Sequence, residues 1–304
     1  MAFSLLQIPG KRRYGLGLVA IGLAFIALNG QGRTHVTPDL KWQPTSLTNG
    51  SPVLFEVKAP AKLHAASAAW MGHSISFSYS VADKVWYGLG GISLTTAPGT
   101  YDLRVTETFA NGRTAEIARK IKIVGATYPK ITIKVSKQFT EPSQEQLTAI
   151  SADKGVKAKV FEAVSAQRLW AGRFAAPVSA PVSDVFGTAR VFNEKVQSRH
   201  QGLDFAVGPG TPVHAINDGV VLLARPMFFE GNCVVIDHGQ GLLSLYLHLS
   251  EFKVKEGEEV RSGDLIALSG GTGRASGPHL HLAIRWQGVY VDPAILLKIQ
   301  IPAS

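Results

Sequence analysis

The chain is short of cysteine, of charge and of long apolar runs, and each shortage narrows what it can be. Cys233 is the single cysteine among 304 residues. That excludes an intramolecular disulfide and any cysteine-rich zinc site. It leaves the compartment open, because oxidising compartments permit disulfides without requiring them. Charged residues make up 17% and hydrophobic residues 45%. A disordered chain needs the opposite balance, so global disorder is excluded. No internal repeat or low-complexity tract is visible. The glycine-rich stretch Gly270-Gly271-Thr272-Gly273 lacks the Lys-Ser/Thr and the helix of a phosphate loop. It reads as a tight turn that lets chain or substrate approach closely.

What is present begins with a basic excess of +9, which favours anionic partners such as nucleic acid, lipid headgroups or wall polymer without choosing among them. Three of these charges form Lys11-Arg12-Arg13, and no acidic residue precedes Asp39. Behind the cations runs an uncharged segment, residues 14–32, apolar from about Leu16 to Leu28. Cations, apolar stretch and polar chain are the order of a secretory signal. The stretch is shorter than the ~20 residues of a normal spanning helix, and no clean small-x-small cleavage site follows. Residues 1–32 therefore fit a cleaved signal and a retained membrane anchor equally. Either places the bulk of the chain outside the cytoplasm, in the cell envelope or periplasm.

The expected fold is mostly β. Residues 35–125 carry alternating runs, among them Ile75–Val81 and Thr100–Thr108, with a hairpin turn at Asn111-Gly112. They read as a small immunoglobulin-like β-sandwich serving as spacer, wall-binding module or inhibitory domain. His64 and His73 have no metal-ligand spacing and read as surface or packing residues. Residues 126–170 read as a linker with helix, starting after Glu141-Pro142-Ser143 and continuing over Val156–Trp170. Residues 171–304 switch to dense Gly/Pro punctuation between β-branched runs and read as an antiparallel β domain with its own core. Its candidate strands are Val213–Ile216, Gly219–Ala224, Cys233–Asp237, Leu243–His248, Leu265–Ser269 and His279–Trp286.

Histidines in that last region carry the chemistry. In His279-Leu280-His281 a strand would turn both imidazoles to one face and Leu280 and Leu282 to the core. In His200-Gln-Gly-Leu-Asp204 an imidazole and a carboxylate stand four residues apart, and His248 ends the run Leu243–His248. Catalytic zinc sites use three protein ligands of the imidazole and carboxylate kind and keep one position open. His200, Asp204 and one of the His279/His281 pair make such a set. The remaining histidines are free for proton transfer. His214 and His238 lie outside this arrangement and read as packing or turn residues. Cys233 reads as a small buried residue with no base beside it.

These segments resemble the M23 family of zinc metallopeptidases, the lysostaphin-like cell-wall endopeptidases. The resemblance rests on HQGLD (200–204), LYLHLS (245–250) and GPHLHL (277–282), supported by GTPVHAINDGVV (210–221), GNCVVIDHGQGL (231–242), residues 254–277 and VDP (291–293). It covers roughly Pro177 to Leu297 and departs from the family at Leu282-Ala283, where an aromatic and an acidic residue are common. It implies zinc as cofactor, His200, Asp204 and His281 as its ligands, and His248 and His279 as catalytic histidines. It also implies a zinc metalloendopeptidase acting on peptide cross-links of peptidoglycan, with no nucleic-acid partner. Its rival within the family is a metal-free regulator of other wall hydrolases, against which all three ligand positions are filled. A lipoyl-like carrier barrel, suggested by the spacing Val254…Gly257…Val260…Gly263-Asp264, lacks the lysine-bearing hairpin tip.

Overall fold

The computed structural model describes residues 39–59, 62–162, 165–194 and 196–301. The expected signal or anchor, residues 1–32, lies outside them. Among the described residues no helix is long and apolar enough to cross a membrane.

The chain is mostly β, as its alternation predicts. In the N-terminal part, strands at Asp39–Gln43, Pro52–Lys58, Val85–Gly91 and Ser78–Ser80 lie side by side in that order. A second sheet has the order Leu47–Thr48, Thr114–Val124, Gly99–Phe109, Leu63–Trp70, His73–Ser76. The two long strands 99–109 and 114–124 pair in continuous register around the Asn111-Gly112 turn. Inward residues of both sheets, including Phe55, Trp70, Ile75 and Val105, are buried in one core. Phe55 meets Trp70 edge to face with ring centroids 5.6 Å apart, the geometry the ring quadrupoles favour.

The second β region is a ten-stranded sheet. Its main path is Val182–Asp184, Leu203–Phe205, Leu280–Trp286, Leu242–Phe252, Gly231–Asp237, Gly219–Met227, Glu259–Val260. Side pairings add Pro212–His214, Leu265–Ser269 and Val289–Val291. The strands fall where the β-branched runs predict them, with ends moved by up to four residues. Register places Asp184 opposite Asp204, Asp204 opposite His281, and His281 opposite Leu247. One row across four strands therefore carries two carboxylates and an imidazole and stops next to His248.

The segment between the two regions is woven into the second one. Strand Lys130–Ile133 pairs in parallel with Ala189–Phe192, which pairs in turn with Val196–Arg199. The predicted helical signals join into a single helix, Gln144–Glu162. It ends well before Trp170, whose buried side chain belongs to the core and whose N–H donates to the His238 carbonyl at 3.1 Å. Helix residues Val156, Val160 and Phe161 pack on a second apolar cluster that includes Leu223, Met227, Leu243 and Ala283. The N-terminal sheets also touch the second region directly. The Asp292 N–H donates to the Gly50 carbonyl at 2.8 Å, and the His73 ring stacks on Trp286 at 5.0 Å.

His238 fills a structural role. It is fully buried, with Nδ1 2.7 Å from the Asp218 carbonyl and Nε2 2.7 Å from Ser244 Oγ. Burial lowers its pKa to about 4, against the raising effect of the Asp218 carbonyl. Between that value and the ordinary 6.5 the unfolded chain binds the extra proton, so His238 subtracts stability as pH falls through this window and adds no further loss below it. A shift of this size corresponds to about 3 kcal/mol. Urea midpoints measured from pH 7 to pH 4 should fall for the native chain and fall less steeply for His238→Gln. Parallel slopes would show that His238 is not the responsible group.

Candidate metal centre

The row across the sheet converges on one buried point. Asp204 Oδ1 lies 3.0 Å from His200 Nε2 and 2.7 Å from His281 Nδ1, and the two nitrogens are 3.0 Å apart. All three side chains are buried. His200 turns its Nδ1 to the Val185 carbonyl at 2.8 Å. A carbonyl can only accept, so Nδ1 carries the proton and Nε2 presents a lone pair to the centre. His200 Nε2 and Asp204 Oδ1 then both face His281 Nδ1, and with neutral rings at most one proton, on that nitrogen, stands among the three atoms. With that proton released, a cation at the centre would be met by all three atoms.

Donor chemistry and spacing fit a metal ion. A tetrahedral zinc with ligands at ~2.0–2.1 Å spans ligand–ligand edges of about 3.3–3.4 Å, so the three atoms need to open by about 0.3–0.7 Å. The second oxygen of Asp204, Oδ2, is held by the Arg190 guanidinium, which also binds Asp184 through Nε at 2.8 Å and Nη2 at 2.5 Å. Asp184 in turn accepts from Thr188 Oγ1 at 2.7 Å. This outer network leaves Oδ1 free and fixes its direction, which is what such partners do for metal ligands. Burial alone would raise the Asp204 pKa. The neighbouring His200 and His281 outweigh it and hold the carboxyl far below the usual range. Burial lowers His281 to about 4, against the raising effect of Asp204.

His248 and His279 stand beside this cluster, their ring centroids 4.7 Å apart, with His248 6.1 Å from His281. Both give Nδ1 to a backbone carbonyl, Thr272 for His248 and Gly277 for His279, each at 2.8 Å. Both therefore leave Nε2 unprotonated. His279 Nε2 is 3.8 Å from Asp204 Oδ2. His248 has φ +63° inside a strand, a conformation that costs a non-glycine residue roughly 1–3 kcal/mol. It falls where strand 242–252 leaves one partner, Leu280–Trp286, for another, Leu265–Ser269. Burial, then the charges of His279 and His281, lower the His248 pKa to about 3.

All five residues expected from the sequence thus meet in one place. His214, partly exposed and bonded to the Gly263 carbonyl, and the buried Cys233 lie outside it. Sequence reasoning missed Asp184, Arg190 and Arg274, because no fixed spacing ties them to the histidines. It also passed over Gly202. A Cβ there would stand 2.5 Å from His281 Nε2 and collide with the Leu282 carbonyl.

The family model for Peptidase family M23 matches residues 198–293, and the chain carries a domain of this family that holds all five residues. Over 105 residues it is 47% identical to the peptidoglycan DD-endopeptidase ShyA of Vibrio cholerae, a stretch covering 34% of this chain and 24% of that protein. It is 46% identical over 94 residues to the DD-carboxypeptidase/endopeptidase Mpg of Neisseria meningitidis, covering 31% of this chain and 22% of that one. The chain thus spans about a quarter of the length of these curated relatives. A solved candidate M23 peptidase from Pseudomonas aeruginosa aligns with a TM-score of 0.62 at 28% identity, over 82% of this chain and 94% of that one.

Gly202→Ala should push His281 off its position and weaken zinc binding by about 10-fold or more, the scale of losing a ligand's support. Competition of the folded protein against a chromogenic chelator measures this directly. Unchanged affinity would mean that the cluster tolerates the shift and that Gly202 is incidental.

Proposed function

We propose that the chain is a zinc-dependent endopeptidase that cleaves peptide cross-links of bacterial peptidoglycan. The observation that carries this reading is the buried His200–Asp204–His281 cluster, whose two imidazole nitrogens and carboxylate oxygen converge at metal-ligand spacing, with two further imidazoles beside it. The named activities of the relatives support the substrate class. So does the wall of the adjoining cavity, where Arg199 and Arg274 add positive charge beyond the ion-paired Lys157 and Arg190, which favours an anionic polymer. A metal-free regulator has no observation in its favour.

His200 through Nε2, His281 through Nδ1 and Asp204 through Oδ1 would hold the ion. Zinc bound there would polarise the scissile carbonyl and make water nucleophilic near neutral pH. The chain's own work is proton transfer and placement. His248 and His279 present basic Nε2 atoms on the open side. One takes a proton from the attacking water and one delivers a proton to the leaving amine. Arg190 keeps the Asp204 carboxylate from turning away.

The proposed organisation is a sandwich over 35–125, a joint over 126–170 and the catalytic domain over 171–304. The immunoglobulin-like reading is supported by strand order. Lettered A to G along the chain, with an added C′, the two sheets run A-B-E-D and A′-G-F-C-C′, the arrangement of that fold. Export to the envelope is supported by Lys11-Arg12-Arg13 and the apolar run behind it. Residues 1–40 fused to a reporter active only outside the cytoplasm should switch it on. A stable but silent fusion would refute export.

Paired substitutions test the roles. His281→Ala should lose zinc, wall-lysis activity and, because bound metal stabilises the folded state by mass action, thermal stability. His279→Ala should keep near-stoichiometric zinc and lose turnover by about 10²–10⁴-fold. Zinc lost from His279→Ala but kept by His281→Ala would reverse the assignment. Zinc and activity kept by both would end the metallopeptidase reading.

A further inference from the structure

Arg274 stands in the site with no carboxylate within salt-bridge distance; Glu230, bound to Lys157, acts on it only from farther off. Its guanidinium lies between the rings of Phe192 and Phe229, 4.6 and 4.7 Å from their centroids. Its backbone N–H donates to the Phe229 carbonyl at 2.9 Å. The preceding Gly273 has φ +71°, and a Cβ there would stand 2.7 Å from the Phe229 carbonyl oxygen, so the loop is pressed against the 229–231 turn. The rings and the loop hold the guanidinium plane still. The other cations around the cavity are engaged, Arg190 with Asp184 and Asp204, Lys157 with Glu230, and Arg199 with the Gly187 carbonyl. Among the described residues no acceptor meets the N–H groups of Arg274. Burial lowers its pKa, against the raising effect of Glu230.

The loop also fixes where the guanidinium sits along the substrate. Thr272, two residues before Arg274, orients His248, and Gly277, three residues after it, orients His279. Arg274 lines both the cavity holding His200, His248 and His281 and the adjoining one holding Asp204 and His279. On the reading proposed above, one of those two histidines must reach the scissile amide nitrogen. A group borne by the residue that supplies this nitrogen therefore arrives beside Arg274. A rigid planar fork of N–H donors is matched by a carboxylate, which it can hold through two parallel bonds.

We infer that Arg274 is a specificity-determining residue that receives a carboxylate on the carbon bearing the scissile amide nitrogen. Resting on the hydrolase reading, this narrows the substrate class. A free carboxylate stands there when the leaving residue is the C-terminal residue of a peptide, or a diamino diacid acylated on the amino group next to that carboxylate. It is missing where the chain continues as an amide, as within a glycine bridge.

Two synthetic peptides that differ only in this group, carboxylate against carboxamide, test the inference on the zinc-loaded full chain, with purified wall as a third substrate. The native protein should prefer the acid by about 10²-fold in kcat/KM, mainly through KM, the scale of breaking one desolvated charge pair. Arg274→Gln should bring the ratio of acid to amide close to one, and Arg274→Lys should recover part of it, with zinc stoichiometry unchanged in both. Equal turnover of the two peptides by the native protein would overturn the inference and leave the hydrolase reading standing. So would a variant Arg274→Gln that keeps the native preference. If Arg274→Gln does not fold, the comparison on the native chain still decides. Failure of the zinc-loaded native chain to cleave either peptide or the wall would instead remove the hydrolase reading, and the inference with it.

Discussion

The structure turns on one buried carboxylate that cannot be satisfied by the neutral groups around it. Asp204 offers Oδ1 to His200 and His281 and Oδ2 to Arg190. Because His200 spends its proton on the Val185 carbonyl, the centre is short of positive charge. Arg190 is shared between Asp204 and Asp184, so one positive charge faces two carboxylates, and buried charge without full compensation is expensive. A bound cation converts the same atoms from a penalty into a ligand set. The Arg190–Asp184–Thr188 network, the strained backbone at His248 and the glycine at 202 are understandable as means of holding that ligand set in register.

Sheet geometry supplies most of the register. Pairing of 203–205 with 280–286 and of 280–286 with 242–252 places Asp204, His281 and Leu247 in one row. A slip of one residue on either strand would send an imidazole to the core face. Leu280, Leu282 and Ile284 are fully buried, and fully burying one such side chain is worth about 1.5–3 kcal/mol, so the core fixes the pairing on which the site depends. The joint then closes the walls. Strand 130–133 extends the hairpin that carries Arg190, and helix 144–162 lays Lys157 along the cavity, where it pairs with Glu230.

Much of this was legible in the residues. Period-two alternation marked the strands, because half-buried strands must alternate. The spacing of His200, Asp204, His279 and His281 announced a metal site, because clustered imidazoles in a β region have few other uses. Residue spacing alone left His279 and His281 undivided as ligands, and family resemblance favoured His281. The distances favour the same choice: His281 Nδ1 is 2.7 Å from Asp204 Oδ1, whereas His279 Nε2 is 3.8 Å from Asp204 Oδ2. Arg190 was hidden because its partner lies 14 residues on and across a turn. Arg274 was hidden because its role depends on two rings brought together only in the fold. Two helical signals were read where one helix forms, since Gly155 interrupts the sequence pattern without breaking the backbone.

The central claim is that a cation at the His200–Asp204–His281 cluster makes this chain a hydrolase of wall peptides. The most direct test is to strip the protein of metal, titrate zinc back, and follow at each point both bound zinc and the fragments released from purified diaminopimelate-type wall by mass analysis. The account predicts saturation at one zinc per chain, with peptide cross-links cut in proportion to occupancy. Cross-links cut at full rate without metal, or one zinc bound with no cross-link cut, would contradict it.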